Sequence, residues 1–178
     1  MKKPKYLLRD ANIVIKVYEL GLWEKVVDQC DILLSKLLVD ESRYFEDEDG
    51  QCFPIDLTAD ITAHRIRTFD LSASELSQFR ARFNPTYFEK LDPGESESLA
   101  YMFNSSDPCR ICSSDGIVFR VLAQFQRGED GLSLEEVLNQ TGLGRKLKYQ
   151  YTKAFREEKT RLGAEENIRR FGLNRNPD

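Results

Sequence analysis

The feature that most constrains this chain is an alternation of short apolar runs with segments whose apolar residues recur every three or four positions. Tyr6 to Leu8 reads as a short strand. After Arg9-Asp10, residues Ile13, Val14, Val17, Tyr18 and Leu20 share one helical face until Gly21. Trp23 to Gln29 predicts a further turn or two of helix, and the leucine-rich run Ile32 to Val39 predicts a second strand closing at Asp40-Glu41. An extended segment from about His64 to Phe69 precedes Ser72-Ala-Ser-Glu75, a capping box that opens a helix with Leu76, Phe79 and Phe83 inward, up to Asn84-Pro85. Asp92-Pro-Gly-Glu95 opens another, with Leu99, Met102 and Phe103 inward, stopped by Asn104 to Pro108. Cys109 to Cys112 reads as a strand, and Ser113-Ser-Asp115 leads into a helix through Ile117, Val118, Val121, Leu122 and Phe125. Ser133-Leu-Glu-Glu136 is a second capping box, on a short helix ended by Gly142, and Arg145 to Leu162 reads as a long polar helix. Such alternation predicts an α/β fold, a three-layer sandwich with a central, mainly parallel β-sheet, whose ligand crevice lies at the carboxyl ends of the strands.

A chain of 178 residues can bury one substantial core and carry an appendage. Charge marks the division: from Leu143 to Asp178 ten basic residues face five acidic ones, a net +5, so the rest carries −9 of the chain's net −4. Residues 1–142 are therefore read as one domain, with an acidic insertion at about 46–60, and 143–178 as a basic helical C-terminal extension. No apolar run approaches the roughly 20 residues of a membrane span, and Met1-Lys-Lys-Pro-Lys lacks a secretory apolar core, so a cytoplasmic protein is expected. The four cysteines are too few for a disulfide scaffold, and Cys109 and Cys112 should point to opposite faces of their strand rather than share a zinc ion. His64, the single histidine, stands apart from every nucleophile candidate, and neither a dinucleotide fingerprint nor a P-loop is present.

Three acids recur at one structural place: Asp10 after the first strand, Glu41 after the second and Asp115 after the Cys109 to Cys112 strand, while Glu95 opens a helix behind Gly94. Taken singly, Asp10, Glu95 and Asp115 suit helix N-termini as caps. Taken together at one sheet edge, four carboxylates repel one another unless a hard, oxygen-seeking cation such as Mg²⁺ or Mn²⁺ neutralises them. Glu97 lies two residues from Glu95, about 200° around a regular helix, and joins the set only if the first turn is irregular.

In Leu8-Arg-Asp10-Ala-Asn-Ile-Val-Ile15, Val39-Asp-Glu41, Gly94-Glu95-Ser-Glu97-Ser-Leu-Ala100 and Ser113-Ser-Asp115 the chain resembles PIN-domain nucleases, from about Lys5 to Gly142. Ser133 to Leu138 is similar to the segment many bacterial members carry after the last acid. The resemblance implies a Mg- or Mn-dependent endonuclease hydrolysing phosphodiester bonds, in RNA and above all single-stranded RNA, with Asp10, Glu41, Glu95 and Asp115 binding metal, Glu97 as an optional fifth ligand, and Ser113 or Ser114 in support. It also implies a toxin of a toxin–antitoxin pair, with an antitoxin or other protein as partner and a homodimer as an allowed assembly. The chain departs from the family pattern in the polar run Gln126 to Gly131, where a last strand is expected, in the insertion, and in the basic tail. In that tail Arg145, Lys146, Lys148, Lys153 and Arg156 could hold phosphates, and the interleaved Tyr149, Tyr151 and Phe155 could stack on bases or pack on the body. The alternative reading is a catalytically inactive PIN-like module that binds nucleic acid or a protein. A phospho-acceptor receiver domain also gathers acids at strand ends, but no lysine follows a late strand here.

Overall fold

The computed structural model describes residues 3–8, 11–41, 44–46, 49–106 and 108–174, apart from the side chains of Leu7, Leu8 and Glu41. Its centre is a five-stranded sheet of β1 (Lys5–Leu8), β2 (Asp31–Ser35), β5 (Ile66–Phe69), β6 (Arg110–Cys112) and β7 (Gly131–Leu132), in the order β5-β2-β1-β6-β7 with every pair parallel. The chain leaves β1 first toward β2 and later returns on its other side as β6. The topological switch point therefore lies between β1 and β6, where Leu8 is in register with Cys112.

Helices cover both faces because the strand residues alternate between two cores. Ile32, Leu34, Ile66, Cys112 and Leu132 pack with α1 (Ala11–Glu19), α2 (Trp23–Gln29) and α9 (Leu134–Gln140). Leu33, Phe69, Cys109 and Ile111 pack with α5 (Ala73–Arg80), α6 (Pro85–Phe88), α7 (Pro93–Asn104) and α8 (Gly116–Gln124). Cys109 and Cys112 thus fall on opposite faces, as their spacing predicts. None of the four cysteines is in a disulfide. A parallel sheet buried on both sides needs continuous apolar strands, and Ile32-Leu33-Leu34 supplies one.

Three expectations are corrected. The apolar run Ile32 to Val39 is not one strand: it breaks at Ser35, and α3 (Lys36–Glu41) follows at once. The buried Ser35 hydroxyl accepts the Leu38 amide at 3.1 Å, a local cap that competes with the sheet ladder, and unbranched leucines continue readily into helix. Glu41 consequently ends a helix and does not directly follow a strand. In the acidic insertion, β3 (Tyr44–Glu46) and β4 (Cys52–Pro54) form an antiparallel hairpin, followed by α4 (Thr58–Thr62). Phe45 and Phe53 stack at 5.3 Å, and Phe45 reaches Tyr18 on α1 at 5.9 Å, which seats the hairpin on the body.

The third correction concerns the tail. Residues 143–148 are not helical; a 3₁₀ turn spans Tyr149–Tyr151, and α10 (Lys153–Ile168) begins only where the Thr152 hydroxyl accepts the Phe155 amide at 3.3 Å. Helix α10 lies along α8, and the chain beyond it returns to the body: Asn84 donates to the Gly172 carbonyl at 2.8 Å and Asn174 to the Arg82 carbonyl at 2.7 Å. No helix among the described residues is long and apolar enough to cross a membrane.

Candidate active site at the carboxyl edge of the sheet

The carboxyl edge is assembled from the residues that follow each strand. Ser35 ends β2, Asp70 follows β5, Ser113 follows β6 and Ser133 follows β7. Asp10, two residues beyond β1 in sequence, lies outside the described residues, as does the Glu41 side chain. Beyond β6 the Asp115 amide donates to the buried Ser113 hydroxyl at 2.9 Å, a tight turn that presents the exposed Asp115 carboxylate at the start of α8. That carboxylate accepts the Ile117 amide at 3.0 Å, so Asp115 caps α8 while standing beside the switch point. Ser114 is half-buried next to it.

Helix α7 carries the other acids. Asp92 and Glu95 form a reciprocal capping box: the Glu95 amide donates to Asp92 at 2.6 Å, and the Glu95 carboxylate accepts the Asp92 amide at 2.8 Å. Glu95 is 2% exposed. Two residues on, Glu97 turns a different way, as helical geometry requires, and it is Glu97 that reaches the strand ends, where its carboxyl feels the Ser35 hydroxyl at the tip of β2. Its Oε2 is buried with no hydrogen-bond partner among the described residues. Burial pushes the Glu97 carboxyl above its ordinary value; the Ser35 hydroxyl pulls it down and the nearby Asp70 carboxylate pushes it up. Asp70 itself is lowered, chiefly by the hydrogen bond it accepts from Lys36 at 3.0 Å.

Ser35 and Asp70 are the edge residues that sequence reading missed. Asp70 follows an extended run just as Asp115 does, so the same pattern could have found it. Ser35 was hidden within an apolar run. Among the described residues no three His, Cys, Asp or Glu side chains are grouped closely enough to hold a metal ion. The donor chemistry at this edge is nonetheless all oxygen, from carboxylates and serine hydroxyls, the set that hard divalent cations prefer, and Glu97 keeps one oxygen there without a donor.

The basic residues of the tail divide. Arg145, Lys146 and Lys148 are exposed, and Lys153 is exposed but placed 3.5 Å from Glu157. Arg156 is 7% exposed and pairs with Glu136 at 2.8 Å, so its guanidinium holds α10 to α9 and is not available to a phosphate. Tyr151 is buried and Phe155 packs on Phe119, whereas Tyr149 stays in solvent. Compared with protein-family models, curated proteins and solved structures, the chain gives no match.

Proposed function

We propose that the chain is a PIN-like, Mg²⁺- or Mn²⁺-dependent endonuclease that hydrolyses phosphodiester bonds in single-stranded RNA. The observation that carries this reading is Glu97: a carboxylate drawn to the strand ends by Ser35, raised by burial and left with an oxygen that no described donor satisfies. In a fold with no catalytic use for it, such a group costs stability. Asp10 and Asp115 follow the two strands that flank the switch point and would be the principal ligands, with Glu41 and Glu97 completing the set in place of Glu95, whose carboxylate is turned into the capping box with Asp92. A divalent ion bound there would lower the pKa of its water and offset charge on the scissile phosphate. Ser113 fixes the turn that presents Asp115, and Ser35 fixes Glu97.

The capping bonds of Glu95 and Asp115 favour a second reading, a non-catalytic PIN-like module that binds RNA or a protein, because each acid already has a structural task. Cleavage separates the two. With labelled single-stranded RNA and Mn²⁺, the wild type should cut, and Asp10→Asn and Asp115→Asn should each lose at least about 100-fold in rate, since even outer-shell partners of a metal cost about 10–100-fold. RNA left intact with either ion by a protein that melts cooperatively would overturn the nuclease reading.

A further inference from the structure

We propose that residues 143–149 form a docking track for single-stranded RNA, with the open face of Tyr149 stacking on one base while Arg145, Lys146 and Lys148 contact the adjoining phosphates. Its place on the molecule rests on the nuclease reading, but binding can be measured without cleavage.

From Thr141 to Arg156 the chain has no acidic residue. Leu143 and Leu147 pack against the core beside the buried Tyr151, and the Leu143 amide donates to the Leu138 carbonyl at 2.7 Å, so this non-helical segment is fastened along its inner side. The intervening Arg145, Lys146 and Lys148 are thereby turned outward and exposed. Among the described residues Lys146 and Lys148 make no ion pair, and Arg145 donates only to the carbonyl of Gly144, at 3.0 Å. Three cations held close together without carboxylate partners, on a chain whose remainder is strongly acidic, form the kind of local positive field that a polyanion neutralises.

Tyr149 supplies what a simple basic patch lacks. It is 56% exposed, yet its hydroxyl donates to Glu158 at 2.5 Å and its ring meets Phe155 edge-on at 5.6 Å and 86°. The ring is therefore fixed in orientation before any ligand arrives, which lowers the entropy cost of stacking. The other Glu158 oxygen pairs with Lys159 at 2.7 Å. The stem of Lys159 lies over Gly116, so closely that a Cβ added there would come 3.0 Å from its Cγ. Gly116 is the residue after Asp115, so this chain of contacts joins the track to the carboxyl edge. The next turn agrees: the Lys153 amide donates to Glu135 at 2.7 Å, in the first turn of α9 beyond β7. An acidic peptide would satisfy the cations but would leave the fixed ring face unused; a nucleobase uses both.

The test is fluorescence anisotropy on the full chain with a labelled single-stranded oligoribonucleotide of about 12 nucleotides, within the range such sites cover. EDTA is present so that nothing is cut, and the titration is repeated across a salt series. Tyr149→Ala should weaken binding about 5- to 100-fold without changing the salt slope, while Tyr149→Phe keeps most of the affinity. Lys146→Ala/Lys148→Ala should lower the slope by about 1.4, roughly 0.7 for each phosphate no longer neutralised. Thermal melts confirm that these exposed positions leave the fold intact. Wild-type affinity in Tyr149→Ala, an unchanged slope in the double variant, or equal affinity for polyglutamate overturns the proposal. RNA bound through Tyr149 yet never cut overturns the nuclease reading alone; RNA cut by a protein indifferent to Tyr149→Ala overturns this one alone.

Discussion

A carboxylate with a buried oxygen that no donor satisfies is penalised in its charged form, and among the described residues Glu97 is such a group through its Oε2. Its folded pKa is raised above the ordinary value near 4.5. Between those two values the native state holds more protons than the unfolded chain, so this group's contribution to stability is full below about pH 4.5 and is lost as pH rises through the raised pKa. Glu97→Gln, which keeps the shape and removes the charge, should therefore stabilise the metal-free protein near neutral pH by a few tenths of a kcal/mol, because solvent screens the half-buried group, with the gap closing in acid. Thermal melts of both proteins across pH measure this, and a destabilised Glu97→Gln at pH 7 in EDTA would contradict the assignment. The site was legible at this scale only where the signal was local. Asp115 and Glu95 announce themselves as helix-opening acids, but the pairing of Glu97 with Ser35 joins residues 62 positions apart, and no periodicity in either segment encodes it.

At the scale of elements, the contact between α8 and α10 depends on Gly163. A Cβ at that position would stand 2.3 Å from the Arg120 carbonyl oxygen and 2.5 Å from its Cα, both backbone atoms that cannot swing aside. In a free helix, glycine to alanine gains about 1 kcal/mol; here the sign should reverse, with Gly163→Ala costing about 1–3 kcal/mol by overpacking. Urea unfolding reads the difference, and a stabilised variant would mean that α10 does not dock as described. Beside this contact Glu166 binds Arg120, and accepts from Tyr87 at 2.8 Å and from Gln124 at 3.0 Å. The same helix shows what sequence can and cannot give. The capping boxes at Ser72 and Ser133 form as read, because each is complete within four residues. Helix α10 begins at Lys153 rather than at Arg145 because Leu143 and Leu147 pack against the core along a non-helical stretch, a long-range contact that the polar composition of the segment does not encode. The run ending at Val39 failed for a related reason: apolar residues suit a buried strand and a buried helix alike, and only the cap at Ser35 decides.

For the whole molecule, alternating strand and helix was enough to predict an α/β fold with a mainly parallel central sheet, and the strand order adds what the sequence could not, a switch point between β1 and β6. The basic tail, set apart by charge, is fastened to the body by the buried Arg156–Glu136 pair, by Gly163 and by the backbone bonds of Gly172 and Asn174. Residues 143–149 thus form a cationic strap on an acidic body, and its Tyr149 end is linked through Glu158 and Lys159 to Gly116 at the start of α8. The central claim, that this edge binds a divalent ion for phosphodiester hydrolysis, is tested most directly by anomalous diffraction from crystals of the full chain grown with Mn²⁺. The account predicts one or two Mn²⁺ peaks at the carboxyl ends of β1 and β6, within coordination distance of Asp10 and Asp115. Crystals with no Mn²⁺ peak at that edge, or with Mn²⁺ bound only elsewhere on the surface, would contradict it.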